Sequence, residues 1–166
     1  MTSTVEGPFG SHLMAGGFML NNELTDFSML PELNGRKIAN RVQPNKRPMS
    51  SMTPTIIFKD KNLFALTGSP GGTSIINYVT KSVLGLIDWG LDPSEVTELP
   101  HYMNRGNYTE LEKNTVLENL ATELESLGHP IKIQNKRSGL HIALKKDNGY
   151  IGSADPRREG LVIPVN

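Results

Sequence analysis

A single mixed α/β domain over residues 1–166 is the fold this sequence predicts, and three observations predict it. Strand-like runs at residues 55–58 and 63–67 flank a four-residue polar loop, the pattern of a β-hairpin. A glycine-rich turn at residues 68–72 leads into apolar residues at helical spacing. The 16 glycines and 11 prolines gather at turns, which favours a loop-rich α/β or α+β domain over a helix bundle. A chain of 166 residues is long enough to bury a core without disulfides or metals.

The elements follow in order. The start is polar and glycine-rich. It lacks a basic stretch followed by an apolar run, so it does not read as a secretory signal. Residues 17–20 (GFML) read as a short buried strand, and residues 21–26 (NNELTD) as a turn whose side chains bond their own backbone. Residues 29–52 show no sustained periodicity and form a long excursion punctuated by Pro31, Asn34-Gly35, Pro44 and Pro48. After the hairpin and the glycine turn, Ile75, Ile76, Val79, Val83, Leu86 and Ile87 mark a helix that Gly90 stops. Asp92, Pro93 and Glu95 have the form of an N-cap, a first-turn proline and a capping-box partner of a short second helix. An irregular strand is expected at 108–112. A third helix then starts at Asn114 or Thr115, carries Leu117, Leu120, Leu124 and Leu127 on one stripe, and closes at Gly128. Strands at 131–133, 140–144 and 150–153 complete the chain, the last two joined through Asp147-Asn148-Gly149.

Composition excludes several functions. The 17 basic residues cancel the 17 acidic ones, so no field steers the chain onto nucleic acid or an anionic membrane. There is no cysteine, hence no thiol nucleophile and no thiolate metal site, and no apolar run is long enough to span a bilayer. His12, His101, His129 and His141 lack metal-ligand or triad spacing. The first three are expected in exposed loops and His141 on the outward face of its strand. No metal or cofactor is expected.

Four clusters could carry chemistry. Glu23 and Asp26, at the end of an apolar strand, can converge on one cation such as a substrate ammonium, or belong to an Asx-rich turn that solvates itself. Ser50-Ser51, between Pro48 and Pro54, can donate to a carboxylate or be ordinary loop serines. Gly71-Gly72 at a helix start can present backbone N–H groups to a developing oxyanion, or simply turn the chain from strand to helix. The turn lacks the GK[ST] ending of a Walker motif. Asp155-Pro156-Arg157-Arg158-Glu159-Gly160 reads as a self-paired surface turn with a structural role.

Taken in order, five blocks resemble the small subunit of the γ-glutamyltranspeptidases, which are N-terminal-nucleophile hydrolases. They are STVEGPFGS (3–11), NNELTDFS (21–28), PNKRPMSSMTPT (44–55), TGSPGG (67–72) and SADPRREG (153–160). The resemblance implies most of one half of an αββα sandwich, without the strand that bears the nucleophile. It also implies transfer or hydrolysis of γ-glutamyl groups of glutathione and related amides, by a threonine whose own α-amine is the base. Glu23 and Asp26 would bind the α-ammonium of the glutamyl group, Ser50 and Ser51 its α-carboxylate, and the Gly71 and Gly72 amides the oxyanion. Thr4 falls where the family has a second threonine supporting the nucleophile. Glu6 falls near an asparagine that helps hold the substrate carboxylate.

The family's nucleophile lies upstream of Thr4, and the large subunit with its carboxylate-binding arginine is not in this sequence. Thr2, exposed if Met1 were removed, lies too close to Thr4 to replace that nucleophile. The chain is therefore expected to be inactive alone, and either to act with a second, large-subunit-like polypeptide or to bind glutamate or γ-glutamyl peptides. A sheet lacking its neighbour predicts an open edge, an uncovered apolar face and self-association or dependence on a partner. A cytoplasmic location is the default expectation. The periplasm or cell surface is open to the parent enzyme.

Overall fold

The computed structural model describes residues 3–164, so Thr2 lies outside the described residues. The chain forms two compact units, Met1–Ser50 and Ser51–Asn166.

In the first unit, β1 (Met14–Ala15) and β2 (Phe18–Met19) pair antiparallel across Gly16 and Gly17, both at positive φ. The strand expected at 17–20 is thus only two residues long, and it is exposed rather than buried, because so short a ribbon has no second layer to pack against. A 3-10 turn, Glu23–Asp26, follows, and then Phe27, which is buried. The stretch expected to lack structure contains a second small hairpin, β3 (Glu32–Leu33) with β4 (Arg36–Lys37). Asn34 and Gly35 turn it at φ +52° and +74°, the two left-handed positions that a tight hairpin turn requires.

The second unit is built on a four-stranded antiparallel sheet. Its strands are β5 (Thr55–Lys59), β6 (Asn62–Gly68), β10 (His141–Lys146) and β11 (Gly149–Ala154), in the order β11-β10-β6-β5. Both predicted hairpins are present, and β10 brings the C-terminal one against β6 by pairing Ile142 with Thr67 and Leu144 with Ala65. Helices α1 (Ile75–Ile87) and α2 (Pro93–Glu98) cover one face, where Ala65, Leu86, Val96, Ile142 and Leu144 form the core. At the start of α2 the Glu95 carboxylate accepts the Asp92 N–H at 2.8 Å, as the capping-box pattern predicts. Val96 lies so close to Gly85 that a Cβ there would sit 2.9 Å from its Cγ2, which is why the two helices can cross at that point.

The other face carries Ile56 and Phe58, both more than 60% exposed, with Leu66 beside them at 37%. Among the described residues nothing covers this apolar patch, and β5 and β11 are open edges. A second sheet joins β7 (Tyr102–Asn104), β8 (Thr109–Glu112) and β9 (Ile131–Gln134), with β7 antiparallel and β9 parallel to β8. No helix among the described residues is long and apolar enough to cross a membrane.

Two helices depart from expectation. In α1 the buried face is Ile75, Tyr78, Val79, Lys81, Ser82, Gly85 and Leu86, while Ile76 and Ile87 are exposed. The helix is rotated from the apolar stripe because polar side chains find buried partners. The predicted third helix is split into a 3-10 turn, Val116–Leu120, and one short helix, α3 (Ala121–Ser126). Its Leu120 and Leu127 are exposed, so the stripe does not form the core contact its spacing suggests.

Candidate active site

In the first unit three carboxylates gather. One oxygen each from Glu6, Glu23 and Asp26 lies within 4.8 Å of the others. The 3-10 turn places Glu23 and Asp26 on the same side. Asn21 Oδ1 secures it by accepting the Glu23 N–H at 3.0 Å, and the Asn22 carbonyl accepts the Thr25 N–H and hydroxyl. The segment is the Asx turn that its composition suggests, and it brings the carboxylates of Glu23 and Asp26 close together.

Glu23 is partly buried, and its Oε1 has no hydrogen-bond partner among the described residues. Burial, then a hydrogen bond and charge repulsion from Asp26, then the Glu6 charge, raise the Glu23 carboxyl to about 7. Such a group is poised to lose its proton to solvent when a cation binds beside it. Glu6 brings a third carboxylate beside Glu23 and Asp26. Thr4 Oγ1 accepts the Glu6 N–H at 2.9 Å and so orders the backbone leading into the cluster.

Asn40 was not singled out by sequence reasoning. Its Nδ2 donates to the Asp26 carbonyl at 2.6 Å, and its Oδ1 accepts the N–H of Met49, the residue before Ser50, at 2.9 Å. One amide therefore ties the acidic turn to the residue before Ser50. Its position two residues before an unremarkable valine offers no signal in sequence, because the link spans 14 and 9 residues.

In the second unit Ser51 Oγ donates to the Gly72 carbonyl at 2.7 Å, joining the second serine to the glycine turn. Gly71 has φ +141°, and a Cβ on it would sit 2.7 Å from Tyr78 Cε2. Glycine is required there by close approach as well as by conformation. Gly72 opens a 3-10 turn, Gly72–Ser74, that runs directly into α1. The first N–H groups of such a run have no partner within it, and they lie at the positive end of the helix.

Beneath this turn runs a buried polar chain. Tyr78 packs against the His101 ring in a tilted arrangement, with centroids 4.3 Å apart. Lys81 Nζ reaches the carbonyls of Leu99 and Pro100 and His101 Nδ1, each at 2.7 Å, using all three ammonium protons. His101 Nε2 then donates to Ser138 Oγ at 2.7 Å, and Ser138 donates to Asp155. Burial and the adjacent Lys81 charge hold the His101 imidazole far below its ordinary range, so it stays neutral. Burial, followed by Arg157, lowers Lys81 to about 7.

Two expectations are corrected here. His101 is fully buried, not an exposed loop residue. The Asp155–Gly160 segment is not a surface turn paired only within itself: Asp155 is 2% exposed and accepts from Ser138 and the Leu140 N–H as well as from Arg157, and Arg157 also pairs with Glu112. The reason is tertiary, since Glu112 is 45 residues away. The segment's structural role stands. His12 and His129 are exposed, and His141 is exposed on β10.

The first unit with its clustered carboxylates, and the second, mixed α/β unit with a glycine turn at a helix start, each have counterparts among known proteins. The structure superposes on the Helicobacter pylori γ-glutamyltranspeptidase T380A mutant with a TM-score of 0.82 and 33% identity, over 95% of this chain and 92% of that one. It superposes on the Pseudomonas nitroreducens γ-glutamyltranspeptidase complexed with L-DON with a TM-score of 0.87, over 100% and 92%, at 24% identity. The fold is thus the mixed α/β fold of the N-terminal-nucleophile hydrolases.

The family described as gamma-glutamyltranspeptidase matches residues 1–165. The glutathione hydrolase proenzyme of Bacillus subtilis (strain 168) is 39% identical over 99% of this chain and 28% of its own length. That of Escherichia coli (strain K12) is 37% identical over 95% and 29%. The chain belongs to the γ-glutamyltranspeptidase family, and it spans less than a third of the length of these curated relatives.

Proposed function

We propose that this chain supplies the glutamyl-recognition and oxyanion parts of a γ-glutamyl transfer or hydrolysis site. The attacking threonine, which must be a chain N-terminus to use its own α-amine as base, is supplied by small-subunit sequence upstream of Thr4, and the carboxylate-binding arginine by a large-subunit-like polypeptide. Glu23 and Asp26 bind the α-ammonium of the γ-glutamyl group, and Ser50 and Ser51 its α-carboxylate. A threonine hydroxyl, deprotonated by its own α-amine, adds to the γ-carbonyl. The oxygen of that carbonyl gains negative charge, which the Gly71 and Gly72 N–H groups stabilise. Collapse expels the amine and leaves an acyl-enzyme, which water hydrolyses or an amino acid or peptide accepts.

The observation that carries this reading is the partly buried Glu23 carboxyl, crowded by Asp26 and Glu6 and with one oxygen unpaired, because an ammonium is the partner that relieves it. The test is release of nitroaniline from a γ-glutamyl nitroanilide. The purified chain alone is expected to release none, and mixing it with polypeptides bearing the threonine and the arginine is expected to start release. Vigorous turnover by the chain alone, or silence of every mixture, would overturn the proposal.

A further inference from the structure

The second unit holds an arginine that neither motif nor composition singled out. Arg105 lies in the turn between β7 and β8, where its N–H donates to the Tyr108 carbonyl at 2.8 Å. Its Nε faces Glu110 Oε1 at 3.1 Å, and Glu110, 3% exposed, is held in turn by the buried Lys136 ammonium. With one edge of the guanidinium fixed, the two remaining nitrogens project as a fork. Nη1 donates to Thr73 Oγ1 and Nη2 to Ser74 Oγ, each at 2.8 Å.

Thr73 and Ser74 are the two residues after Gly72 in the 3-10 turn, and the Ser74 N–H donates back to the Gly71 carbonyl at 3.2 Å. The turn is thus held from three directions: Ser51 on the Gly72 carbonyl, Tyr78 under Gly71, and the Arg105 fork on the two hydroxyls. Ser51 constrains the turn at Gly72, and Tyr78 packs under Gly71 and also bonds the Ser74 side chain. The fork holds both hydroxyls at once, and so adds resistance to rotation of the turn about the start of α1, the motion that would swing the Gly71 and Gly72 N–H groups off a common target.

We infer that Arg105 is a positioning residue of the reaction, clamping Thr73 and Ser74 so that the Gly71 and Gly72 amides stay aimed at the oxyanion. The inference rests on the function proposed above. Because the oxyanion exists only after attack, loosening the clamp should lower kcat and leave binding of the γ-glutamyl donor nearly untouched. A lysine can reach one hydroxyl but cannot span both, so it should restore part of the effect.

The test uses the chain assembled with the threonine-bearing polypeptide. Arg105→Ala is expected to lower kcat about 10- to 100-fold, the scale of losing or misaiming an oxyanion donor, with KM changed less than about 2-fold. Arg105→Lys should recover part of the loss. In a Thr73→Val, Ser74→Ala background, already slowed, Arg105→Ala should add less than about a 2-fold loss. An unchanged kcat in Arg105→Ala, a rise in KM with kcat intact, or a full further loss in that background would overturn the inference.

Amide exchange in the chain itself separates this failure from failure of the proposed function. If the unsubstituted assembly shows no turnover, the functional reading falls. The clamp is then supported if Arg105→Ala and Arg105→Lys speed exchange at Thr73 and Ser74 at least about 10-fold while α1 stays protected, and it is refuted if those rates do not change.

Discussion

Replacing Gly71 by alanine tests the glycine turn directly. The new Cβ would lie 2.7 Å from Tyr78 Cε2 and 3.2 Å from Cδ2, well inside van der Waals contact. Tyr78 cannot retreat easily, because it is 4% exposed and packed against His101. The clash costs about 1–3 kcal/mol, the range for overpacking a close-packed site. Holding a non-glycine residue at φ +141° adds about 1–3 kcal/mol.

Gly72→Ala is the internal control. Its φ is +57°, and a Cβ there meets nothing within 4 Å, so only about 1–2 kcal/mol of left-handed strain applies. Thermal unfolding followed by circular dichroism should therefore show Gly71→Ala melting below Gly72→Ala. A difference of about 2 kcal/mol corresponds to about 4–8 °C for a chain of this size. Adding Tyr78→Leu, which removes the ring edge, should narrow the gap between the two alanine variants. Equal melting temperatures for Gly71→Ala and Gly72→Ala would show that the ring does not confine the turn, and the reasoning would fail.

Other expectations follow from the same contacts. Asp155→Ala should destabilise the chain by about 3–5 kcal/mol in denaturant titration, because Arg157, Ser138 and the Leu140 N–H lose a common buried acceptor. The Asp155 carboxyl is held below its ordinary value, against the effect of burial, by bonds from Ser138, the Arg157 and Leu140 amides and the Arg157 side chain. Its stabilisation is therefore present above the unfolded pKa and is lost as pH falls through the lowered folded value. For Glu23 the sign is opposite: raised to about 7, it is protonated below neutrality. Binding of glutamate, measured by calorimetry on the assembled protein, should weaken about 10-fold from pH 8 to pH 6, and Glu23→Gln should flatten that dependence. Asn40→Ala should raise KM for a γ-glutamyl donor about 10-fold with kcat within about 3-fold, since the amide ties the acidic turn to the residue before Ser50.

The legible parts of this molecule are those whose cause is local. The hairpin at Thr55–Lys59 and Asn62–Gly68 follows from two β-rich runs and the polar residues between them. The start of α2 follows from Asp92, Pro93 and Glu95 within four positions. Glu23 and Asp26 stand three apart on one short turn, so their convergence was readable before any coordinates. Glu6 joining them was not, because 16 residues on an irregular path intervene.

The burial of His101 had no local signal either, since it depends on Lys81, 20 residues before it, and Ser138, 37 after. Arg105 looked like any loop arginine, and Thr73 and Ser74 like helix-start residues, until the β7–β8 turn brought the guanidinium across.

By itself the sequence determined the family, through five short blocks in order, and the chemical types gathered in each block. Those properties reside in side-chain chemistry and in turns only a few residues long. Only the tertiary structure decided which charges are buried, how α1 is rotated and what holds the glycine turn in place. Burying Lys81, Glu110 or Asp155 is tolerable only when a partner distant in the chain supplies hydrogen bonds or opposite charge, and that pairing does not exist until the sheet and helices have packed.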